Sequence, residues 1–88
     1  MANHKSAVKD YRQSLRRRTR NRSNRSRMRS AIKQFRALVA AGDLEGAKSA
    51  LPATLSLIDR TARLGSIHDN AADRTKSRLT RALNVGAE

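Results

Sequence analysis

The sequence predicts an all-α protein, a three-helix up-and-down bundle with a long, strongly basic first helix projecting from it. Three observations carry this. Ala, Leu and Arg dominate while Gly and Pro are sparse and β-branched residues few, which favours helix almost throughout and leaves no segment reading as a strand. Two short breaks, Ala41-Gly42-Asp43 and Leu64-Gly65-Ser66, each place a Gly where a left-handed residue can end one helix and a capping residue can start the next. Between the breaks, apolar residues recur at spacings of three and four.

The elements follow in order within one small domain, residues 1–88. The first helix is expected over 5–41. Met28, Ile32, Phe35 and Val39, with Leu38 alongside, form a stripe that should enter a core. Val8, Tyr11 and Leu15 form a second short stripe about 120° away around the helix, so one straight helix cannot bury both on one seam. The half from 5 to 27 is therefore expected to project as an arm. The second helix, 43–64, carries Leu44, Ala47, Leu51, Leu55, Ile58 and Ala62 on one side. Pro52 lies inside it and removes a hydrogen bond to the Lys48 carbonyl, so a kink or break is expected just before it. The third helix, 67–85, has two possible capping boxes, Ser66 with Asp69 and Asn70 with Asp73, and an apolar face of Ala72, Thr75, Leu79, Ala82 and Leu83. Short connections make neighbouring helices antiparallel.

Composition narrows the function. A formal net charge of +13 on 88 residues exceeds what solubility needs and points to a polyanionic partner. With one Tyr, one Phe and no Trp, a surface that stacks unpaired bases on aromatic rings is disfavoured. The absence of Cys excludes a disulfide framework and thiolate metal sites, and His4 and His68 are far apart, so no metal or other cofactor is expected. His68 has no carboxylate pair or second histidine to make it a catalytic base, and a helix-capping role fits it better. The N-terminal residues lack the apolar stretch of a signal peptide and no run is long enough to span a bilayer, so the chain reads as cytosolic.

The densest charge is RRRTRNRSNRSRMR, Arg16 to Arg29, with eight arginines and no acidic residue. Drawn as a helix, Arg18, Arg22, Arg25 and Arg29 make one stripe and Arg16, Arg20 and Arg27 another nearly opposite, with Arg17 to the side. Thr19, Asn21, Ser23, Asn24 and Ser26 between them are short side chains able to bond phosphate and ribose oxygens. Like charges at i,i+4 oppose an isolated helix and are relieved by a densely negative partner. Arginine on opposite sides fits nucleic acid on more than one side, hence folded RNA. A membrane-surface helix would need a continuous apolar face, which this stretch lacks. A histone-like, nonspecific DNA-binding protein is the alternative, disfavoured because no dimer seam, intercalating wedge or recognition helix is evident. On the third helix Lys76, Arg78 and Arg81 are either a solvated face or a second RNA surface.

Several motifs carry a resemblance. The opening MAN-K-SA, the basic run with Arg25, Ser26, Met28 and Arg29 before Ile32-Lys33, the A-G-D turn, the I-D-R of Ile58 to Arg60, and G-x-I-H-x-N-x-A-x-R from Gly65 to Arg74 together resemble the bacterial small-subunit ribosomal proteins of the S twenty family. The likeness covers nearly the whole chain in order. It implies a three-helix bundle without enzymatic activity that binds 16S ribosomal RNA directly and bridges RNA segments during assembly. It also implies a ribosomal partner, few protein contacts, no membrane, and a monomer when free. Carried over by position, Asn3, Lys5 and Ser6 match the N-terminal motif, Arg25, Ser26, Arg29 and Lys33 the basic helix, and His68, Asn70 and Arg74 the entry to the third helix. With the charge pattern this gives the candidate RNA-binding set: those residues plus Lys9, Arg12, Arg16, Arg17, Arg18, Arg20, Asn21, Arg22, Ser23, Lys76 and Arg78. The sequence departs from the family pattern at His4, often apolar there, and at Asp69 and Asp73, where basic residues are common. The departures at Asp69 and Asp73 imply weaker RNA contact by the first turn of that helix.

Overall fold

The computed structural model describes the backbone of residues 2–87 and the side chains of 6–86. Three helices make up the fold: α1 (Ala2–Ala40), α2 (Leu44–Arg63) and α3 (Asp69–Ala87). No strand occurs among the described residues. The all-α bundle with a long first helix is the observed architecture.

Both turns use glycine as the sequence suggests. Gly42 and Gly65 adopt φ of 80° and 77°, the left-handed region that costs other residues a Cβ clash. At the end of α1 the Gly42 amide donates to the Val39 carbonyl and the Asp43 amide to the Leu38 carbonyl. At the end of α2 the Gly65 amide donates to Ala62 and the Ser66 amide to Thr61. Each is the paired bonding of a Schellman motif, which satisfies carbonyls the helix would otherwise leave open. Asp43 then starts α2, its Oδ1 accepting the Gly46 amide at 3.0 Å.

The cap of α3 is the one expected of His68, and neither of the two possible capping boxes forms. Neither Ser66 nor Asn70 caps it. The helix begins at Asp69, and the preceding His68 accepts the Asn70 amide on Nδ1 at 3.1 Å. Imidazole can do this when Nδ1 is the unprotonated nitrogen. The break expected at Pro52 is also absent, since α2 runs through that residue without interruption. Pro52 and Lys48 both lie on the exposed side, where water can bond the carbonyl that the proline leaves unpaired.

One core holds the three helices together. Met28 and Phe35 of α1, Ala47 and Ile58 of α2, and Ala72, Leu79 and Leu83 of α3 are buried. Ile32, Leu38, Val39, Leu44, Leu51 and Ile67 pack around them. Thr54 and Thr61 are buried as well, their hydroxyls donating to the Ala50 and Leu57 carbonyls one turn back at 2.9 and 2.7 Å. This internal bond removes the penalty of burying a hydroxyl. At one end of the bundle a Cβ added to Gly86 would sit 3.2 Å from Leu44 and 3.3 Å from Val39. At the other end Ser66 meets Asn21 and Asn24. The chain therefore runs up α1, down α2 and up α3.

The arm begins where this packing stops. α1 has 39 residues, about 58 Å at 1.5 Å each, whereas α2 has 20 and reaches only about 30 Å. The longest dimension of the molecule is 66 Å. Its radius of gyration, 17.7 Å, compares with about 12 Å for a compact chain of this length. Every described side chain from Ser6 to Arg20 is exposed.

Candidate nucleic-acid interface

Helix α1 holds thirteen of the twenty Lys and Arg residues and one acidic residue, Asp10. Its side toward the bundle is fixed by the residues that make contact there: Asn21, Asn24, Met28 and Phe35. Measured from that seam at 100° per residue, Arg18, Arg22, Arg25 and Arg29 lie on one flank, and Arg16, Arg20 and Arg27 on the other, each row about 90° away. The two rows face apart. From Asn21 onward the seam that separates them is occupied by the protein itself.

All these arginines are exposed except Arg25, which is half-buried. Ser6, Lys9, Arg12, Arg17, Ser23, Ser26 and Lys33 are exposed too. Among the described residues both ion pairs are made by Lys76, so no arginine of α1 is neutralised by a carboxylate. A surface of this kind, with guanidinium forks free on both flanks, suits bidentate contact with phosphate. Asn3 and Lys5 lie outside the described side chains.

Asn21 is placed differently from the other candidates. The Ser66 hydroxyl donates to its Oδ1 at 3.0 Å and accepts from Asn24 Nδ2 at 3.0 Å. Ser66 is buried, and through it the α2–α3 turn clasps α1 at the point where the arm leaves the bundle. The Asn21 amide nitrogen makes no hydrogen bond among the described residues. The clasp was invisible in the sequence because its members are more than forty residues apart.

The second cluster lies at the start of α3. His68, Asn70, Arg74 and Arg78 are all exposed and line one open depression of about 610 Å³. Lys76, counted with them from the sequence, points elsewhere. Its Nζ is 2.7 Å from Asp59 Oδ1 on α2 and 3.6 Å from Asp73 Oδ1 on its own helix. The hydrogen bond to Asp59, and the charges of Asp59 and Asp73, raise the pKa of this ammonium above the ordinary lysine value. Lys76 joins α2 to α3 and is not grouped with the depression. Arg36, outside the candidate set, is exposed and continues the first arginine row one seven-residue step beyond Arg29. That spacing is the signal that would have found it.

Among the described residues no group of His, Asp or Glu could hold a metal ion, and no helix is long and apolar enough to cross a membrane.

Residues 2–84 match the family model described as Ribosomal protein S20. The chain is 50% identical over 85 residues to the small ribosomal subunit protein bS20 of Bacillus cereus strain G9842, covering 97% of this chain and 100% of the relative. It is 46% identical over 88 residues to the bS20 of Desulfosudis oleivorans, with the full length of both covered. The bS20 of Geobacter metallireducens is 49% identical over 97% of this chain and 98% of its own. With a family model spanning nearly every residue and relatives of matching length at about half identity, this chain belongs to the ribosomal protein S20 family.

Proposed function

We propose that this protein is a structural constituent of the small ribosomal subunit that binds 16S ribosomal RNA directly and bridges RNA segments during assembly. The family is one of ribosomal structural proteins, and it is not an enzyme family. The observation that carries the finer reading is the pair of arginine rows on opposite flanks of an unburied helix, with no carboxylate of the described chain to neutralise them. One duplex groove could engage one row. Two rows facing apart call for RNA on two sides, and a rod that occupies the gap between two phosphate surfaces relieves their mutual repulsion.

The bundle positions this rod. Its core fixes the last third of α1, the Ser66 clasp fixes the point of exit, and His68, Asn70, Arg74 and Arg78 offer a further polar and basic contact near that same end. Each arginine placed on a phosphate releases condensed counterions, so affinity falls with salt.

Filter binding of the full chain to 16S ribosomal RNA across a salt series tests the reading. If about six to ten phosphates are neutralised, affinity falls by about three to five decades between about 50 and 200 mM salt. Excess duplex DNA should compete poorly. A flat salt dependence overturns the electrostatic mechanism, and equal competition by duplex DNA assigns the chain to nonspecific DNA binding instead.

A further inference from the structure

The arm carries one feature that its arginines do not explain. Val8, Tyr11 and Leu15 are 46%, 65% and 41% exposed, forming an apolar stripe two turns long. Leu15 stands about 9 Å beyond Asn21 along the axis and Val8 about 20 Å, so the bundle core cannot reach them. Within a helix this basic, polar residues at the three positions would leave the fold unchanged.

The azimuth of the stripe shows which residues share its face. Eighteen residues make about five whole helical turns, so Tyr11 lies on the same line as Arg29, and Val8 on the line of Ser26. Leu15 is about 20° from the line of Arg22. The apolar stripe is thus the continuation, toward the N-terminus, of the face that presents the Arg18-Arg22-Arg29 row. Arg12 stands beside it, and with Lys9 and Arg16 further round the helix it lines a small depression at the Val8 edge. A second copy of this chain is a poor occupant. It would bring Lys9, Arg12 and Arg16 against their own copies with Asp10 as the sole opposing charge, over an apolar area far below the roughly 800 Å² per partner of a stable interface.

We propose that Val8, Tyr11 and Leu15 form an apolar seat for RNA, pressing on the ribose-lined, shallow minor groove of an RNA helix while Arg12 beside the stripe and Arg18 and Arg22 of the row it continues take its phosphates. A-form RNA offers a groove wide and shallow enough to receive a helix face, with sugar C–H groups and 2′-hydroxyls on its surface. The Tyr11 hydroxyl, able to donate and accept, suits a 2′-hydroxyl. The seat adds a contact whose strength does not depend on counterion release. It rests on the RNA-binding reading above and deepens it by naming the RNA surface.

Two measurements on the full chain test the seat. Tyr11 is the single tyrosine, so nitration followed by mass spectrometry reports it alone. Nitration is fast in the free protein and falls at least about tenfold on 16S ribosomal RNA, since a seated ring is shielded. An unchanged rate overturns the proposal. In filter binding, the triple variant V8A, Y11A, L15A loses about ten- to a hundredfold in affinity with an unaltered salt slope. Its melting curve matches the parent, because the three side chains touch no core residue and alanine favours helix. The double variant R18Q, R22Q lowers the slope by about two in the same assay. If the double variant responds and the triple does not, the seat fails while RNA binding stands. If neither responds, RNA binding by this helix fails with it.

Discussion

The two halves of α1 share one backbone and one helical register but not one source of stability. From Met28 to Val39 the helix is held by what it buries: Phe35 is fully enclosed, Met28 nearly so, and Ile32, Leu38 and Val39 lean on the same core. From Ser6 to Arg20 it buries nothing, and its neighbouring arginines repel one another. The C-terminal part has its partner within the chain. The N-terminal part is built for a partner outside it, and a sequence can encode both only by rotating its apolar face away from the seam once the bundle ends.

The two halves differ most in what Phe35 contributes. Phe35→Ala should cost about 3–5 kcal/mol, a large part of the 5–15 kcal/mol typical of a whole domain, and should leave much of the chain unfolded in thermal melts followed by circular dichroism. Leu15→Ala, a similar loss of side chain on the other half, should fall within about 0.5 kcal/mol of the parent. A destabilisation at Leu15 rivalling that at Phe35 would mean that the arm packs on protein after all.

A smaller effect is expected at the boundary. Ser66→Ala leaves Asn21 Oδ1 without its donor and Asn24 Nδ2 without its acceptor, so a loss of about 1–3 kcal/mol follows if water cannot replace the hydroxyl. Hydrogen exchange sharpens the point. Amides around Asn21 to Arg25 should lose protection in this variant while those near Phe35 keep theirs, moving the frontier of the ordered half toward the core. If protection around Asn21 is unchanged, the clasp does not set that frontier.

What the sequence made legible follows the range of the interaction. Gly42 and Gly65 could be read as helix ends because their requirement is local, a positive φ that only a residue without Cβ adopts freely. The seam from Met28 to Val39 was readable because periodicity reports a face. The exposure of the arginine rows followed from the same wheel. The failures are of another kind. Ser66 looks like a cap in the sequence, but α1 passes beside the turn and takes its hydroxyl. Of the kink or break that Pro52 suggests, the break is absent, and α2 passes through the residue at an exposed position. Thr54 and Thr61 lie in the core without having been marked by the apolar periodicity, and each satisfies its hydroxyl on its own helix. Asp59 and Lys76, on separate helices, give no sign of each other along the chain.

That last pair supplies the smallest predicted effect and a clean division between the two basic surfaces. Lys76 spends its charge within the protein, on Asp59 above all, whereas the arginines of α1 have no carboxylate partner in the described chain. Lys76→Gln should therefore leave the salt slope of RNA binding unchanged, while Arg18→Gln lowers it by about one. The ion pair makes its own mark on stability through pH. Because folding raises the Lys76 pKa, chiefly through the hydrogen bond to Asp59, the folded chain holds that proton more tightly than the unfolded chain does. The stabilisation is fully present below the unfolded lysine pKa and is lost as pH climbs through the raised value. Denaturation of the parent and of Lys76→Gln should thus differ slightly at neutral pH and converge in strong alkali. A gap that persists there would trace the effect to packing of the lysine stem, and a fall in salt slope would return Lys76 to the RNA surface.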